Sequence, residues 1–357
     1  ASDVYKRQSY SRILINYFKS KEVIPTKEEE DMIWNNIISQ IKSSQHKQFS
    51  FNKWQTSVIS LSIAAMLTGI VFLITSNRKD ESEILYAAYQ SLNEKSDHSS
   101  SEILILSENK KITNVNNHTT IDYSKSAKEV TIGKKIIEKS PETKYHQLIV
   151  PNGKRTCLIL ADGSTLHVNA GTRVVYPDRF KKDRREIFVD GEIYIDVVKN
   201  AKMPFVVTTT SCNIEVLGTS FNVNSYSKDT DTQIALVNGS IKLKDKQNKE
   251  IILKPNELAV LSQSNIKGKY KVNASDYAAW TDGLLKLNAT PLSSVFKSLE
   301  RYYGITISFS KEVGQMKMYG SLDLECPIEE VLRRIKYTAP ISYINKDDKF
   351  EVTKENQ

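Results

Sequence analysis

The longest run of apolar residues without a formal charge covers residues 54–77. Its most apolar part, residues 58–75, is 18 residues long. As an α-helix this part spans about 27 Å, close to the roughly 30 Å hydrocarbon core of a bilayer. The pattern predicts one transmembrane helix over residues 54–77. The alternatives are a secretory signal peptide, which would lie nearer the N-terminus, and a buried core helix.

Two segments before this run have apolar residues at helical spacing, at residues 9–20 and from Pro25 onward. Thr26 and Glu29 form a capping-box pattern at the start of the second segment. Two helices this short bury little apolar surface between themselves, so either a partner or preceding residues cover their apolar faces, or the helices form a small bundle. The candidate contact residues are Ile13, Leu14, Tyr17, Phe18, Ile33, Trp34, Ile37 and Ile41.

Residues 78–144 have a different, mostly polar composition. Runs rich in Ser and Asn surround one short apolar run at residues 103–106. This composition predicts a flexible connector that carries one or two weak strands.

In residues 145–272 apolar and polar positions alternate with a period of two, in short runs separated by turn dipeptides. Ten such runs, without a helix of two turns, predict an all-β sandwich, barrel or roll. Asp190 and Glu192 lie on either side of Gly191 in one of these turns, and we interpret both side chains as exposed. The dipeptides favour hairpins, because both central residues of a type I′ turn need positive φ. They are Asn152-Gly153, Asp162-Gly163, Asp190-Gly191 and Asn238-Gly239.

Residues 280–354 alternate between strand and helix patterns. Pro291 and Pro327 each begin a segment with apolar residues on one helical face, and Gly304 ends the first helix. The order β-α-β-β-α-β-β predicts a small α+β domain in which two helices cover one face of a sheet. The chain is therefore predicted to be multi-domain, with a helical N-terminal segment, one transmembrane helix, an all-β domain and this α+β domain.

Charge and motif content exclude several classes of function. The 50 Lys and Arg residues against 42 Asp and Glu give a net charge of +8, but the basic residues are dispersed, which disfavours direct nucleic-acid binding. The three Cys and five His residues show no metal-ligand spacing, and Gly153-Lys154 lacks the second glycine of a phosphate loop. We find no nucleophile or acid-base constellation, so we expect no enzyme activity, no cofactor and no metal.

Charges beside the apolar run give a weak indication of orientation. Three lysines precede the run and two basic residues follow it, which slightly favours an N-terminus on the cytoplasmic side. These residues are Lys42, Lys47, Lys53, Arg78 and Lys79. Residues 1–8, ASDVYKRQ, match a translated sequencing-library adapter, and we interpret them as an assembly artefact that precedes a truncated segment 9–53.

Several motifs of the predicted β domain resemble those of FecR-type anti-sigma factors, the iron-dicitrate sensor regulators. The motifs are VPNGKRTCLILADGSTLHVNAGTRVVYPDRF, REIFVDGEIYIDVVKNAKMPFVV, IEVLGTSFNVNSY and ALVNGSIKL. The motif W-x-D-G-x-L at residues 280–285 is similar to the form found in Bacteroidetes, in which a domain resembling the secretin and TonB-receptor short N-terminal fold follows. The resemblance covers roughly residues 145–353.

This resemblance implies a signal relay across the bacterial inner membrane. The N-terminal signalling domain of a TonB-dependent outer-membrane receptor contacts the periplasmic C-terminal part, and the cytoplasmic N-terminal segment holds or releases an extracytoplasmic-function sigma factor. It implies a single-pass protein with its N-terminus in the cytoplasm. A second hypothesis is a membrane-tethered periplasmic module that binds glycans or peptidoglycan, which would not need amphipathic helices on the cytoplasmic side.

The chain departs from the family pattern in places, and one motif bears on chemistry. Asn256 stands where the family usually has Gly, and Asn also tolerates the left-handed region. The segment before the membrane, residues 9–53, is shorter than that of the family. Some family members cleave themselves between Gly and Thr of an LGT turn through attack by the Thr hydroxyl, and Gly218-Thr219 matches that position. The alternative, which we favour, is a structural turn.

Overall fold

The structure is a computed structural model that describes residues 26–29, 31–32, 35–36, 39, 81–93, 101–107, 110–139, 145–346 and 349–355. The chain divides into two compact units, Ala1–Arg78 and Lys79–Gln357. Within the described residues, no helix has the length and apolar character that a membrane crossing requires. The predicted transmembrane helix lies outside these residues, and so do the candidate residues Ile13, Leu14, Tyr17, Phe18, Ile33, Trp34, Ile37 and Ile41.

The described part of the first unit is helical and begins as the capping-box pattern predicts. The backbone N–H of Thr26 donates a hydrogen bond to the Glu29 carboxylate at 2.9 Å. This bond satisfies one of the donors that the first helical turn leaves free.

Eighteen strands of the second unit form one curled sheet with two halves, which we call sheet A and sheet B. Both halves contribute residues to one hydrophobic core. We call this region, residues 103–272, the β domain. Its strands are β1 (Ile103–Ser107), β2 (Lys110–Val115), β3 (Thr120–Asp122), β4 (Glu129–Ile132), β5 (Lys135–Glu138), β6 (Tyr145–Val150), β7 (Thr156–Ile159), β8 (Thr165–Val168), β9 (Thr172–Pro177), β10 (Arg185–Asp196), β11 (Phe205–Thr208), β12 (Cys212–Val216), β13 (Ser220–Ser225), β14 (Asp231–Asn238), β15 (Ile241–Asp245), β16 (Glu250–Leu253), β17 (Glu257–Ser262) and β18 (Asn265–Lys271).

Strand β10 joins the two halves, because its backbone bends at Gly191. The residues before the bend pair with β9 and β11 in sheet A, and those from Gly191 onward pair with β8 and β13 in sheet B. Gly191 has φ of 139°, and a Cβ atom there would lie 2.6 Å from the Thr172 Cα. Only glycine avoids both the strain and this overlap. The hairpin predicted at Asp190-Gly191 is therefore wrong, since the dipeptide bends one strand without reversing it.

The other turn dipeptides have two different roles. Asp162-Gly163 closes the hairpin between β7 and β8, as predicted. Asn152-Gly153 and Asn238-Gly239 instead connect strands that lie in different halves of the sheet, so the hairpins predicted there are wrong. Asn256, in the connection from β16 to β17, has φ of 63°. This is the left-handed conformation, which asparagine tolerates.

The segment 78–144 is not a flexible connector where the structure describes it. It contains helix α1 (Glu81–Asn93) and strands β1 to β5, and Ile103, Ile105 and Ile121 are fully buried in the core of the β domain. The prediction failed because β1 pairs with β6 and β3 pairs with β7. These long-range pairings bury apolar runs that are too short to indicate a strand by themselves.

Helix α1 packs on the outer face of sheet A. Leu85 and Tyr89 form a small buried cluster with Val175 of β9 and Phe188 of β10. The first half of β10 is consequently buried on both faces, with five consecutive buried residues in place of an alternating pattern.

The α+β region, which we call the C-terminal domain, has the predicted helices and one more. Its strands form two small sheets, so the single sheet expected from the sequence is wrong. One sheet pairs β19 (Leu284–Pro291) with β21 (Lys317–Asp323), and the other has the order β20 (Thr306–Phe309), β23 (Lys349–Lys354), β22 (Ile341–Lys346). The additional helix is α4. Two short elements, α2 (Ser275–Ala278) and a 3-10 turn (Ala279–Asp282), precede the domain. The elements of the domain are β19 (Leu284–Pro291), α3 (Leu292–Tyr303), β20 (Thr306–Phe309), α4 (Lys311–Gln315), β21 (Lys317–Asp323), α5 (Ile328–Thr338), β22 (Ile341–Lys346) and β23 (Lys349–Lys354).

We predict that Gly191→Ala destabilises the β domain more than Gly163→Ala does. Both positions have positive φ, so each substitution costs about 1–2 kcal/mol of backbone strain. At Gly163 the added Cβ meets only the Val198 side chain at 3.6 Å, whereas at Gly191 it overlaps the Thr172 backbone. Urea unfolding followed by circular dichroism measures both variants, and equal midpoints would contradict the role assigned to the bend.

Candidate functional site at the domain junction

Two carboxylates flank the bend in β10, and each has different partners. Asp190 hydrogen-bonds to α1, whereas Glu192 lines a cleft beside the C-terminal domain. Both residues are only partly exposed. The prediction of an exposed turn at this pair is therefore wrong, because the dipeptide lies inside a paired strand that other elements cover.

Asp190 connects helix α1 to the loop between β13 and β14, residues 226–230, which we call the junction loop. The Tyr89 hydroxyl donates to Asp190 Oδ2 at 2.5 Å. The backbone N–H of Ser227 donates to Oδ1 at 2.7 Å, and the Ser227 hydroxyl donates to Oδ2 at 2.9 Å. Burial, followed by the bond to Asp190, raises the pKa of Tyr89, so the phenol keeps the proton that it donates.

The junction loop contacts helix α3 of the C-terminal domain through Arg301. The guanidinium carbon of Arg301 lies 3.7 Å from the centroid of the Tyr226 ring, and Nη2 lies 2.7 Å from Asp229 Oδ2. Lys297 Nζ lies 3.2 Å from the other oxygen of Asp229. The Arg301 and Asp229 side chains are 20% and 18% exposed. A planar guanidinium that stacks and forms an ion pair at once makes a contact that lysine cannot reproduce.

The turn at Asn152-Gly153 forms a second contact with α3. The Gly153 N–H donates to the Arg301 carbonyl at 2.7 Å, and the Arg155 guanidinium carbon lies 3.7 Å from the centroid of the Tyr302 ring. The Gly-Lys pair that resembles part of a phosphate loop therefore lies beside a domain contact.

A hydrogen-bonded network lies under the cleft on the other side of the bend. Asn169 donates to Glu192 Oε2 at 2.8 Å, and Asn222 donates to Glu192 Oε1 at 3.1 Å. The amide oxygen of Asn222 accepts a hydrogen bond from the Trp280 indole N–H at 2.9 Å. Trp280 belongs to the W-x-D-G-x-L motif, in which Gly283 ends the 3-10 turn with φ of 72°. The motif thus fixes an indole against the β domain.

The sequence indicated only part of this site. The family motif signalled Trp280, but nothing in the sequence placed Arg301 near Asp229, 72 positions away. Long-range pairs of this kind have no local periodicity or spacing by which they could be found.

The Gly218-Thr219 position lies in the short link between β12 and β13. A Cβ atom at Gly218 would come 2.6 Å from the Lys199 Cα, and the buried Thr219 hydroxyl donates to the Ser240 carbonyl at 3.1 Å. Both observations give the dipeptide a packing role. This role agrees with the structural turn favoured from the sequence, and self-cleavage stays the untested alternative.

None of the three cysteines lines the cleft. Cys212 is buried, whereas Cys157 and Cys326 are half-buried, and all three are free thiols. Within the described part of the chain, no group of three or more His, Cys, Asp or Glu side chains is placed to hold a metal ion.

Comparisons with known proteins match the two domains separately. The family model described as FecR protein matches residues 146–242, and the model described as FecR, C-terminal matches residues 284–352. No curated protein sequence matches the chain.

Two solved structures from Parabacteroides distasonis ATCC 8503, each described as a "putative anti-sigma factor", are similar to the chain. The structure at 1.65 Å is 32% identical with a TM-score of 0.56, and the match covers 59% of this chain and 99% of that one. The structure at 2.50 Å is 31% identical with a TM-score of 0.56, and the match covers 59% of this chain and 100% of that one.

We predict that Arg301→Met lowers the stability of the C-terminal domain by about 1–2 kcal/mol, because it removes a shielded ion pair and a cation-π contact. The matched control is Arg333→Met, which removes an ion pair on the surface of α5 where the arginine side chain is 58% exposed. A cost of about 0–0.5 kcal/mol is expected for that control. Denaturant unfolding measures both, and equal losses would contradict the importance of the junction.

We predict a pH-dependent effect of Glu192→Gln. Burial raises the pKa of the Glu192 carboxyl, although hydrogen bonds from Asn222, Asn169 and Asn224 and the charge of Arg301 lower it. Because the folded pKa is raised, the stability contributed by this group is complete below its ordinary pKa of 4.5 and is lost as the pH rises through the folded pKa.

Gln cannot ionise, so the melting temperature of Glu192→Gln relative to the natural chain should rise from below pH 4.5 to neutral pH. Any fixed cost of exchanging a carboxylate oxygen for an NH₂ group shifts the difference equally at every pH. Thermal melts across this range measure the effect, with Glu129→Gln on the surface as the control. A difference that does not change with pH would contradict the burial argument.

Proposed function

The chain belongs to the FecR family, and from this membership we propose that it is an anti-sigma regulator that relays a signal across the bacterial inner membrane. The family is regulatory and not catalytic. In this proposal the signal begins at a TonB-dependent outer-membrane receptor, whose N-terminal signalling domain contacts the C-terminal domain in the periplasm. It ends at an extracytoplasmic-function sigma factor in the cytoplasm.

The observation that carries the proposal is a continuous set of contacts from the C-terminal domain to α1. Arg301 of α3 contacts Tyr226 and Asp229 of the junction loop. Ser227 of the same loop donates to Asp190, which also accepts the hydrogen bond from Tyr89 of α1. A displacement of α3 would therefore act on the loop and on Asp190 before it reached α1.

The position of α1 in the chain supports its role as the output of the periplasmic part. Three residues separate the proposed transmembrane helix, residues 54–77, from α1, which begins at Glu81. A small apolar cluster, the Tyr86 ring against Phe188 and the Tyr89 hydrogen bond connect the described side chains of α1 to the sheet. A contact this small can be broken at modest cost, which suits a switched element.

Residues 9–53 are the proposed sigma-factor-binding segment. Their apolar residues recur at helical spacing, and helices of this kind bind by laying one apolar face in a groove of the partner. The contact residues proposed from the sequence are Ile13, Leu14, Tyr17, Phe18, Ile33, Trp34, Ile37 and Ile41. The proposal places the N-terminus in the cytoplasm and both large domains in the periplasm.

We predict that Tyr89→Phe uncouples the response from the signal. The variant keeps the aromatic packing on Phe188 and removes only the hydrogen bond to Asp190, and bonds to charged groups contribute about 1.5–3 kcal/mol. The induction of a sigma-dependent reporter by the receptor's substrate should then fall by about tenfold or more. Gln90→Ala, an exposed position on the same helix, is the control and should respond like the natural chain.

Sigma-factor binding is tested separately, in a two-hybrid assay against the extracytoplasmic-function sigma factors of the source genome. Trp34→Ala should abolish the interaction, whereas Asn36→Ala, at an exposed position of the segment predicted to form the second helix, should preserve it. Binding that survives in Trp34→Ala would contradict the assigned face. A full reporter response in Tyr89→Phe would contradict the relay while leaving an anti-sigma role intact.

A further inference from the structure

The cleft between the β domain and the C-terminal domain has a volume of about 530 Å³. Ligand sites commonly have volumes of about 300–1,000 Å³ and occur preferentially between domains. The lining residues come from both sides, with Asn224 and Tyr226 on the β domain and Leu287 and Ser294 on the C-terminal domain. A ligand in this cleft would therefore contact both domains at once.

The polar groups at the base of the cleft are held in place before any ligand arrives. The two oxygens of Glu192 accept hydrogen bonds from Asn169 and Asn222, Asn224 also bonds to this carboxylate, and Trp280 orients Asn222 in turn. Each carboxylate oxygen has further lone pairs, because an ionised carboxylate offers about four acceptor positions. The base of the cleft is thus a rigid acceptor with remaining hydrogen-bonding capacity.

The positive and negative charges around the cleft are equal in number, which favours a ligand without a net charge. Four acidic residues, Glu192, Asp229, Asp231 and Asp276, line it together with four basic ones, and Asp229 is already paired with Arg301 and Lys297. An anion or a cation would need an excess of the opposite charge in a site of this kind. The four basic residues are Lys271, Lys286, Lys297 and Arg301.

The remaining lining residues suit a ligand that carries both hydrogen-bond donors and acceptors. Five amide side chains line the cleft, and an amide offers a donor and an acceptor side by side. Asn169 and Asn273 already use both groups in hydrogen bonds within the protein, so the other amides offer most of the capacity for a ligand. Aromatic side chains, among them Tyr277 and Tyr302, add apolar surface beside them. The amides are Asn169, Asn224, Gln233, Asn273 and Asn288.

We propose that this cleft is a binding site for a neutral, hydroxyl-rich ligand of the class of short oligosaccharides. Sugar hydroxyls donate to Glu192 and to amide oxygens and accept from amide NH₂ groups, and the C–H faces of the sugar ring pack on the aromatic residues. The inference goes beyond the proposed function, because it gives this chain a ligand of its own. It does not depend on which receptor or sigma factor the chain contacts.

Bound ligand should also hold the two domains together. Whatever binds the folded, closed arrangement stabilises it by mass action. Since Arg301 and Tyr226 line the cleft and also form the junction, the ligand would strengthen the same contacts that couple the C-terminal domain to the junction loop.

Tryptophan fluorescence of the full chain in detergent tests the proposal. The chain has three tryptophans, so Trp34→Phe with Trp54→Phe leaves Trp280, a lining residue, as the only reporter. The probes are short neutral oligosaccharides of glucose, mannose, galactose, xylose and N-acetylglucosamine, with ferric citrate as the charged probe. We expect a saturable change in Trp280 emission with at least one sugar, and an affinity lower by about tenfold or more in Glu192→Gln, which loses a charged acceptor.

Matched variants separate binding in the cleft from binding elsewhere. Ser294→Phe fills the cleft from an exposed position of α3 and should abolish the response, whereas Ser308→Phe, an exposed position outside the lining, should leave it unchanged. Thermal melts confirm that both variants fold. The proposal is overturned if no sugar gives a saturable response, if only ferric citrate does, or if Ser294→Phe binds as well as Ser308→Phe.

Discussion

One strand is hydrogen-bonded in both halves of the β domain, and the rest of the architecture depends on how it bends. β10 changes from sheet A to sheet B at Gly191, where a side chain would overlap the backbone of Thr172. Without the bend, the halves would not close on one core. The same bend separates the environments of Asp190 and Glu192, two residues apart, and so gives the domain two distinct polar contacts.

These polar contacts are directional, and most of them are partly buried, which makes them selective. Asp190 accepts three hydrogen bonds and Glu192 is held by three amides, so neither carboxylate is left without partners in a poorly solvated place. Arg301 adds an ion pair and a ring stack across the domain boundary. A junction built from a few directional contacts has discrete arrangements, which suits the signal relay that we propose.

The sequence predicted the parts whose signals are local. The period-two pattern indicated the strands after residue 145, and Pro291 with Gly304 marked helix α3, whose observed bounds are Leu292–Tyr303. Asp162-Gly163 was identified correctly as a hairpin, but Asp190-Gly191 was not, because the dipeptide reports only that positive φ is needed. The same local conformation serves a reversal or a bend, and the strand partners decide which.

By itself, the sequence determined the classes of the elements, the family motifs and the glycines that the backbone requires. Tertiary structure alone decided that residues 103–132 complete the core, that the two carboxylates beside Gly191 have different partners, and that Arg301 meets Asp229. The physical reason is the distance along the chain over which each kind of interaction acts. Propensity and periodicity act over a few residues, whereas pairing, burial and ion contacts join segments that are distant in the chain and come together only once the sheet has closed.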